Sequence, residues 1–174
     1  MDMFLAINEH LIGLNIQNVT VSRTTLSLAV FDRVDRVLMA ASAGDSHVYF
    51  VGRSSASNVA TGTGAGRFFL GQSPISRPDL AAACAAVVMP VVGARGVVLA
   101  SDGISTDGIG FDDPCNAVYQ AVGDAVITHP VNWSLAAARA LVTRCCQVQE
   151  VNGSGDDISV AVGEFGAIEH ERER

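Results

Sequence analysis

The order in which strand-like and helix-like patterns follow one another constrains this chain more than any other feature. Met3, Ile7, Leu11 and Leu14 recur at helical spacing with Phe4 beside them, and Gly13 reads as a stop signal, so the chain opens in a helix. The run from Val19 to Phe31 is β-branched and partly alternating. A polar stretch, Asp32 to Arg36, separates it from a second apolar run, VLMAASAG. With Ser46 to Val51 behind the tight Gly44-Asp45 turn, the spacing predicts three consecutive antiparallel strands. Residues 52–66, rich in Gly, Ser, Thr and Ala, read as an exposed loop that packs no core. Two more β-type runs follow, Ala85 to Val92 and Gly96 to Ala100, split by Gly93-Ala94-Arg95. Asp112, Asp113 and Pro114 then open a helix over Pro114 to Ile127, and Asn132 caps another over Trp133 to Val148. A last strand, ISVAVGEF, comes after the polar link NGSGDD. Strands precede helices instead of alternating with them, which predicts an α+β fold with antiparallel sheets, not a doubly wound parallel one.

The chain is long enough for one domain with a real core, since at about this length roughly 70% of the unfolded surface is buried on folding. Residues 1–166 read as that domain and 167–174 as a charged, disordered tail. All 11 basic residues are Arg, and with 18 acidic residues the formal charge is −7. That balance offers no counterion-releasing basic face and argues against nucleic-acid binding; the lack of Lys removes Schiff-base and Walker-type chemistry. The 4 cysteines, Cys84, Cys115, Cys145 and Cys146, show no CxxC spacing and read as reduced core residues. No basic leader and no apolar run of about 18 residues is present, so the expectation is a cytoplasmic protein without a membrane span.

Three turns place Asp beside Gly at strand ends: Ala43-Gly44-Asp45-Ser46, Ala100-Ser101-Asp102-Gly103 and Gly155-Asp156-Asp157-Ile158. Carboxylates on short strand-end loops are rigidly aimed and partly solvated, as a hard divalent cation requires. Taken singly, each is also ordinary turn chemistry.

Together, in order, the segments SRTTLSLAV, LMAASAGDSHVYFV, VVLASDGIS and GDDISVAV resemble the metal-dependent protein phosphatases, the type 2C serine/threonine family, over residues 18–165. The resemblance implies a two-sheet antiparallel β-sandwich flanked by helices, of bacterial type. It also implies a metal-activated water that hydrolyses phosphomonoesters of phosphorylated proteins or peptides. It matches Asp102 and Asp156 to ligands of a binuclear Mg²⁺ or Mn²⁺ centre, Asp45 to a weaker third site, and Gly44, Ser101, Gly103 and Asp157 to supporting positions. The family's early acidic strand and DG-x-G turn have no counterpart here, so the sequence reads as starting after them. That segment is truncated, lost or supplied by another chain. Asp157 stands where the family has Asn, and Gly93-Ala94-Arg95-Gly96 where it has a GD turn. Charge counting sets four positive charges against two or three carboxylates, which leaves room for one weakly held ion and makes turnover by this chain alone slow or absent. The alternative is a catalytically inactive relative that binds a partner, a protein kinase or the phosphopeptide itself. Strand edges left uncovered would favour a homodimer.

Other signals carry less. Gly62-Thr63-Gly64-Ala65-Gly66 lacks the spacing and the following Lys of a phosphate loop. His10, His47, His129 and His170 show no paired metal spacing, and no Ser sits in a GxSxG elbow.

Overall fold

A computed structural model describes residues 1–61 and 68–165; the Gly62–Gly66 signal, His170 and the predicted tail lie outside them. Seven strands and four helices are present among the described residues. They are α1 (Asp2–Asn18), β1 (Leu26–Asp32), β2 (Val37–Ala43), β3 (His47–Val51), β4 (Ala56–Thr61), α2 (Arg77–Ala83), β5 (Ala85–Pro90), β6 (Gly96–Ala100), α3 (Pro114–Thr128), α4 (Trp133–Asn152) and β7 (Val160–Glu164). A 3-10 turn, Asp102–Ile104, follows β6. The strands form two antiparallel sheets, ordered β1-β2-β5 and β4-β3-β6-β7.

The layers follow from which faces are apolar. Leu38 and Ala40 of β2 meet Val48 of β3, Val97 of β6 and Phe165 between the sheets. The other face of the larger sheet, with Tyr49, Val51 and Val98, packs on Val118, Ala121 and Val122 of α3 and Ala137 and Leu141 of α4. Phe4 of α1 and Leu80 of α2 cover one end of the smaller sheet. Each fully buried Leu or Phe contributes about 1.5–3 kcal/mol, so these three clusters fix the order helix, sheet, sheet, helix. At the start of β6 the packing is tight: a Cβ on Gly96 would stand 2.4 Å from Gly163 O and 2.9 Å from the Trp133 ring.

Several predicted elements shift. α1 runs through Gly13, where a Cβ would meet nothing within 4 Å, and ends at Val19 in the left-handed region. Only the second half of the predicted Val19–Phe31 strand pairs. Residues 20–22 are instead tied to α1, because Asn15 Oδ1 accepts from Ser22 N (2.9 Å) and its amide donates to Ser22 O (2.7 Å), and Thr24 makes an isolated antiparallel bridge to Leu70. β2 and β3 do not form a hairpin: the Gly44-Asp45 turn carries the chain from one sheet to the other. Gly44 has φ +87° there, and Thr25 lies where a side chain would stand. The predicted loop at 52–66 contains β4, which pairs with β3 and buries Ala60, so small residues pack this part of the core after all. α2, absent from the predicted order, starts at a Ser76 cap whose Oγ accepts from Asp79 N, with Pro78 in the first turn. α3 and α4 match the predicted helices and extend one and four residues further.

Candidate functional site

Strand register brings the three acidic turns to one end of the larger sheet. His47 on β3 pairs with Ala100 on β6, which pairs with Val160 on β7. Asp45 precedes His47 by two residues and Asp102 follows Ala100 by two, so antiparallel pairing puts both turns at the same end of the sheet. The same register continues one step beyond the strands, where Ser101 N donates to Ser159 O (3.0 Å), and the GDD turn that leads into β7 lies beside the SDG turn. Asp45 and Asp102 are half-buried and Asp156 and Asp157 exposed.

The SDG and GDD turns are locked by short polar contacts. Ser101 Oγ donates to Asp157 O and accepts from Ser159 N, both at 3.0 Å. Gly103 leaves no room for a side chain: a Cβ would lie 2.6 Å from Asp157 O and 3.6 Å from Asp156 Cβ. Asp157 N donates to Asp156 Oδ1 (2.8 Å), which fixes that carboxylate at the head of the turn. Asp102 O accepts from the amides of Ser105 (2.8 Å) and Thr106 (2.9 Å) and so closes the turn behind it.

The GDS turn is held by hydroxyls. Thr25 Oγ1 meets Ser46 Oγ (2.7 Å), Ser42 Oγ donates to Ser46 O (2.8 Å), and Ser27 Oγ meets Ser42 Oγ (2.9 Å). Thr25 of the SRTTLSLAV segment, just ahead of β1, therefore supports the turn that carries Asp45.

Two residues outside the sequence prediction belong to this rim. His47 joins β3 to the SDG turn: Asn58 Nδ2 stands 3.0 Å from its Nδ1, and its Nε2 meets Ser105 Oγ, which also reaches Asp102 O (3.2 Å). Ser105 Oγ therefore ties the His47 ring to the main chain of Asp102. Gln149 of α4 is buried and touches both turns, donating to Gly103 O (3.2 Å) and accepting from Asp156 N (3.3 Å). It continues the buried stripe Ala137, Leu141, Cys145 at steps of four, and a polar residue on such a stripe is the signal that would have found it. Beneath the rim Tyr49 is buried, and burial pushes its hydroxyl well above the ordinary tyrosine range, with Cys115 adding to the shift and Ser105 opposing it.

Among the described residues no group of three or more His, Cys, Asp and Glu side chains stands close enough to hold a metal ion. This donor set does not fit a binuclear centre. A carboxylate pair at a solvated rim fits one magnesium-like ion held mainly by water, since such ions commonly use only one or two protein carboxylates. A surface cleft of about 470 Å³ between α3 and α4, lined by His129, Arg139 and Arg144, lies apart from the three turns.

No protein-family model matches the chain, and no curated protein matches it significantly. Solved structures do. PppA of Pseudomonas aeruginosa, described as a key regulatory component of a T6SS, superposes with TM-score 0.65 at 16% identity, covering 93% of this chain and 66% of that one. The serine/threonine phosphatase Stp1 of Staphylococcus aureus gives TM-score 0.61 at 16% identity over 94% and 65%. A sex determining protein of C. elegans gives TM-score 0.64 at 19% identity over 90% and 44%. The fold is thus the one seen in type 2C-like serine/threonine phosphatases, and this chain spans about half to two-thirds of those proteins.

Proposed function

We propose that this chain is a phosphatase-type domain that hydrolyses phosphomonoesters on serine and threonine in proteins, with Asp102 and Asp156 as its share of a Mg²⁺ or Mn²⁺ site and Asp45 as a weaker neighbour. One observation carries the reading: the SDG and GDD turns meet at one rim, clamped by Ser101 and spaced by Gly103. A cation bound there would supply charge neutralisation for a phosphoryl oxygen. The chain's own residues do the positioning. Ser101 holds the backbone on which Asp157 stands, Asp157 N–H orients the Asp156 carboxylate, and the Asn58, His47 and Ser105 chain holds the main chain of Asp102. Gly44 keeps the turn that carries Asp45 close to Thr25.

The donor count favours a second reading, a catalytically inactive phosphatase-like module that binds a phosphopeptide or a protein kinase. Thermal melting with and without Mn²⁺, beside phosphopeptide hydrolysis, separates the two. At a hundredfold excess over Kd, metal bound only to the native state adds about 2.7 kcal/mol, or about 5–10 °C for a chain of this size. Asp102→Asn and Asp156→Asn should each remove most of that rise, with slow hydrolysis by the unmodified chain. No metal binding at millimolar concentration and unchanged melting in Asp102→Asn would leave the binding module. Robust metal-dependent turnover would mean that donors beyond Asp102 and Asp156 complete the site.

A further inference from the structure

Gln149 spends both ends of one carboxamide on two different turns. Its Nε2 donates to Gly103 O (3.2 Å) and its Oε1 accepts from Asp156 N (3.3 Å), while the side chain is buried in α4. A buried amide must satisfy donor and acceptor alike. Rotating it by half a turn would set NH₂ against an N–H and oxygen against a carbonyl, so only one orientation serves. The main chain of the same residue closes the helix, because Gln149 O accepts from Ser154 N (3.2 Å) at the base of the GDD turn.

We propose that Gln149 is a positioning residue that fixes the SDG turn against the GDD turn and thereby sets the separation of the Asp102 and Asp156 carboxylates. The consequence for metal rests on the phosphatase reading above; the bracing itself does not. The two ends are unequal. Gly103 O also accepts from Cys145 Sγ (3.4 Å), one turn earlier on α4, so it keeps a partner when Gln149 is lost. The Asp156 amide has only Gln149 as its partner among the described residues. The damage should therefore fall on the GDD turn.

NMR-detected amide exchange in the full chain tests this, with Gln149→Met, Gln149→Glu and Cys145→Ala beside the parent protein. Met fills the space without either hydrogen bond, whereas Glu keeps an acceptor for Asp156 N. Exchange at Asp156 should rise about tenfold in Gln149→Met, stay within about threefold in Gln149→Glu and not move in Cys145→Ala, with β6 amides unchanged throughout. Mn²⁺ affinity, read by the electron paramagnetic resonance of free Mn²⁺, should fall about tenfold in Gln149→Met. Equal exchange in Met and Glu variants, or acceleration spread over β6 as well, would overturn the bracing. So would unaltered Mn²⁺ affinity in Gln149→Met when the parent binds the ion. If the exchange split appears and the parent binds no Mn²⁺, the bracing stands and the phosphatase reading fails.

Discussion

Gly103→Ala measures how closely the two acidic turns must meet. The added Cβ would stand 2.6 Å from Asp157 O and 3.3 Å from its carbonyl carbon, both main-chain atoms that no rotamer change can move. Asp157 O is pinned by Ser101 Oγ at 3.0 Å, so relief requires shifting the GDD turn and stretching that bond. Overpacking of this kind costs about 1–3 kcal/mol, and weakening one hydrogen bond adds about 1 kcal/mol. The lower unfolded-state entropy of Ala offsets about 0.4–1 kcal/mol. The net loss is about 2 kcal/mol, which for a domain of this size lowers Tm by about 4–8 °C. Gly13→Ala is the matched control: it lies inside α1 with nothing within 4 Å of the new methyl and should raise Tm by about 1–3 °C. Calorimetric melting at neutral pH reads both. A Gly103→Ala protein melting within about 1 °C of the parent would refute the close approach of the turns.

Alkaline pH should destabilise the fold, because burial raises the thiols of Cys84 and Cys145 and the hydroxyl of Tyr49 above their usual 9.0 and 10.0. The folded chain then holds protons that the unfolded chain releases, so stability is full below about pH 9 and declines above it; a melting profile flat to pH 11 would contradict this. The end of the smaller sheet's outer face that α1 and α2 leave uncovered carries Val30, Met39 and Val88 in one cross-strand row, and Val88 is 72% exposed. Sedimentation should therefore show self-association that Val88→Lys reduces, and a clean monomer at high concentration would count against it.

What the sequence made legible was the part where local chemistry and global placement agree. Asp113 and Pro114 start α3, and the apolar spacing of α3 and α4 matches what they bury. The β2 to β3 connection is not legible in sequence because a Gly-Asp turn serves equally to fold a hairpin and to cross between layers; only tertiary contacts such as Thr25 on Gly44 distinguish the two. β4 escaped because Ala56 and Ala60 bury little area each and sit among turn-forming residues. At the rim, Asp45, Asp102 and Asp156 were legible as turns. His47 and Gln149 were not, since their partners lie 58 and 46 residues away in sequence.

α4 works as a caliper on β6. Its first residue, Trp133, presses on Gly96 at the start of the strand, and Gln149 grips Gly103 beyond its end. Sixteen helical steps span about 24 Å, and the path from Gly96 to Gly103, about six extended steps and one 3-10 step, spans about 22 Å, so the two jaws stand at comparable spacing. One residue inserted between Ala137 and Cys145 would turn Gln149 about 100° off its mark and lengthen one arm without the other. Length variation is therefore cheap in the 52–55 turn, which carries neither jaw, and forbidden within the helix.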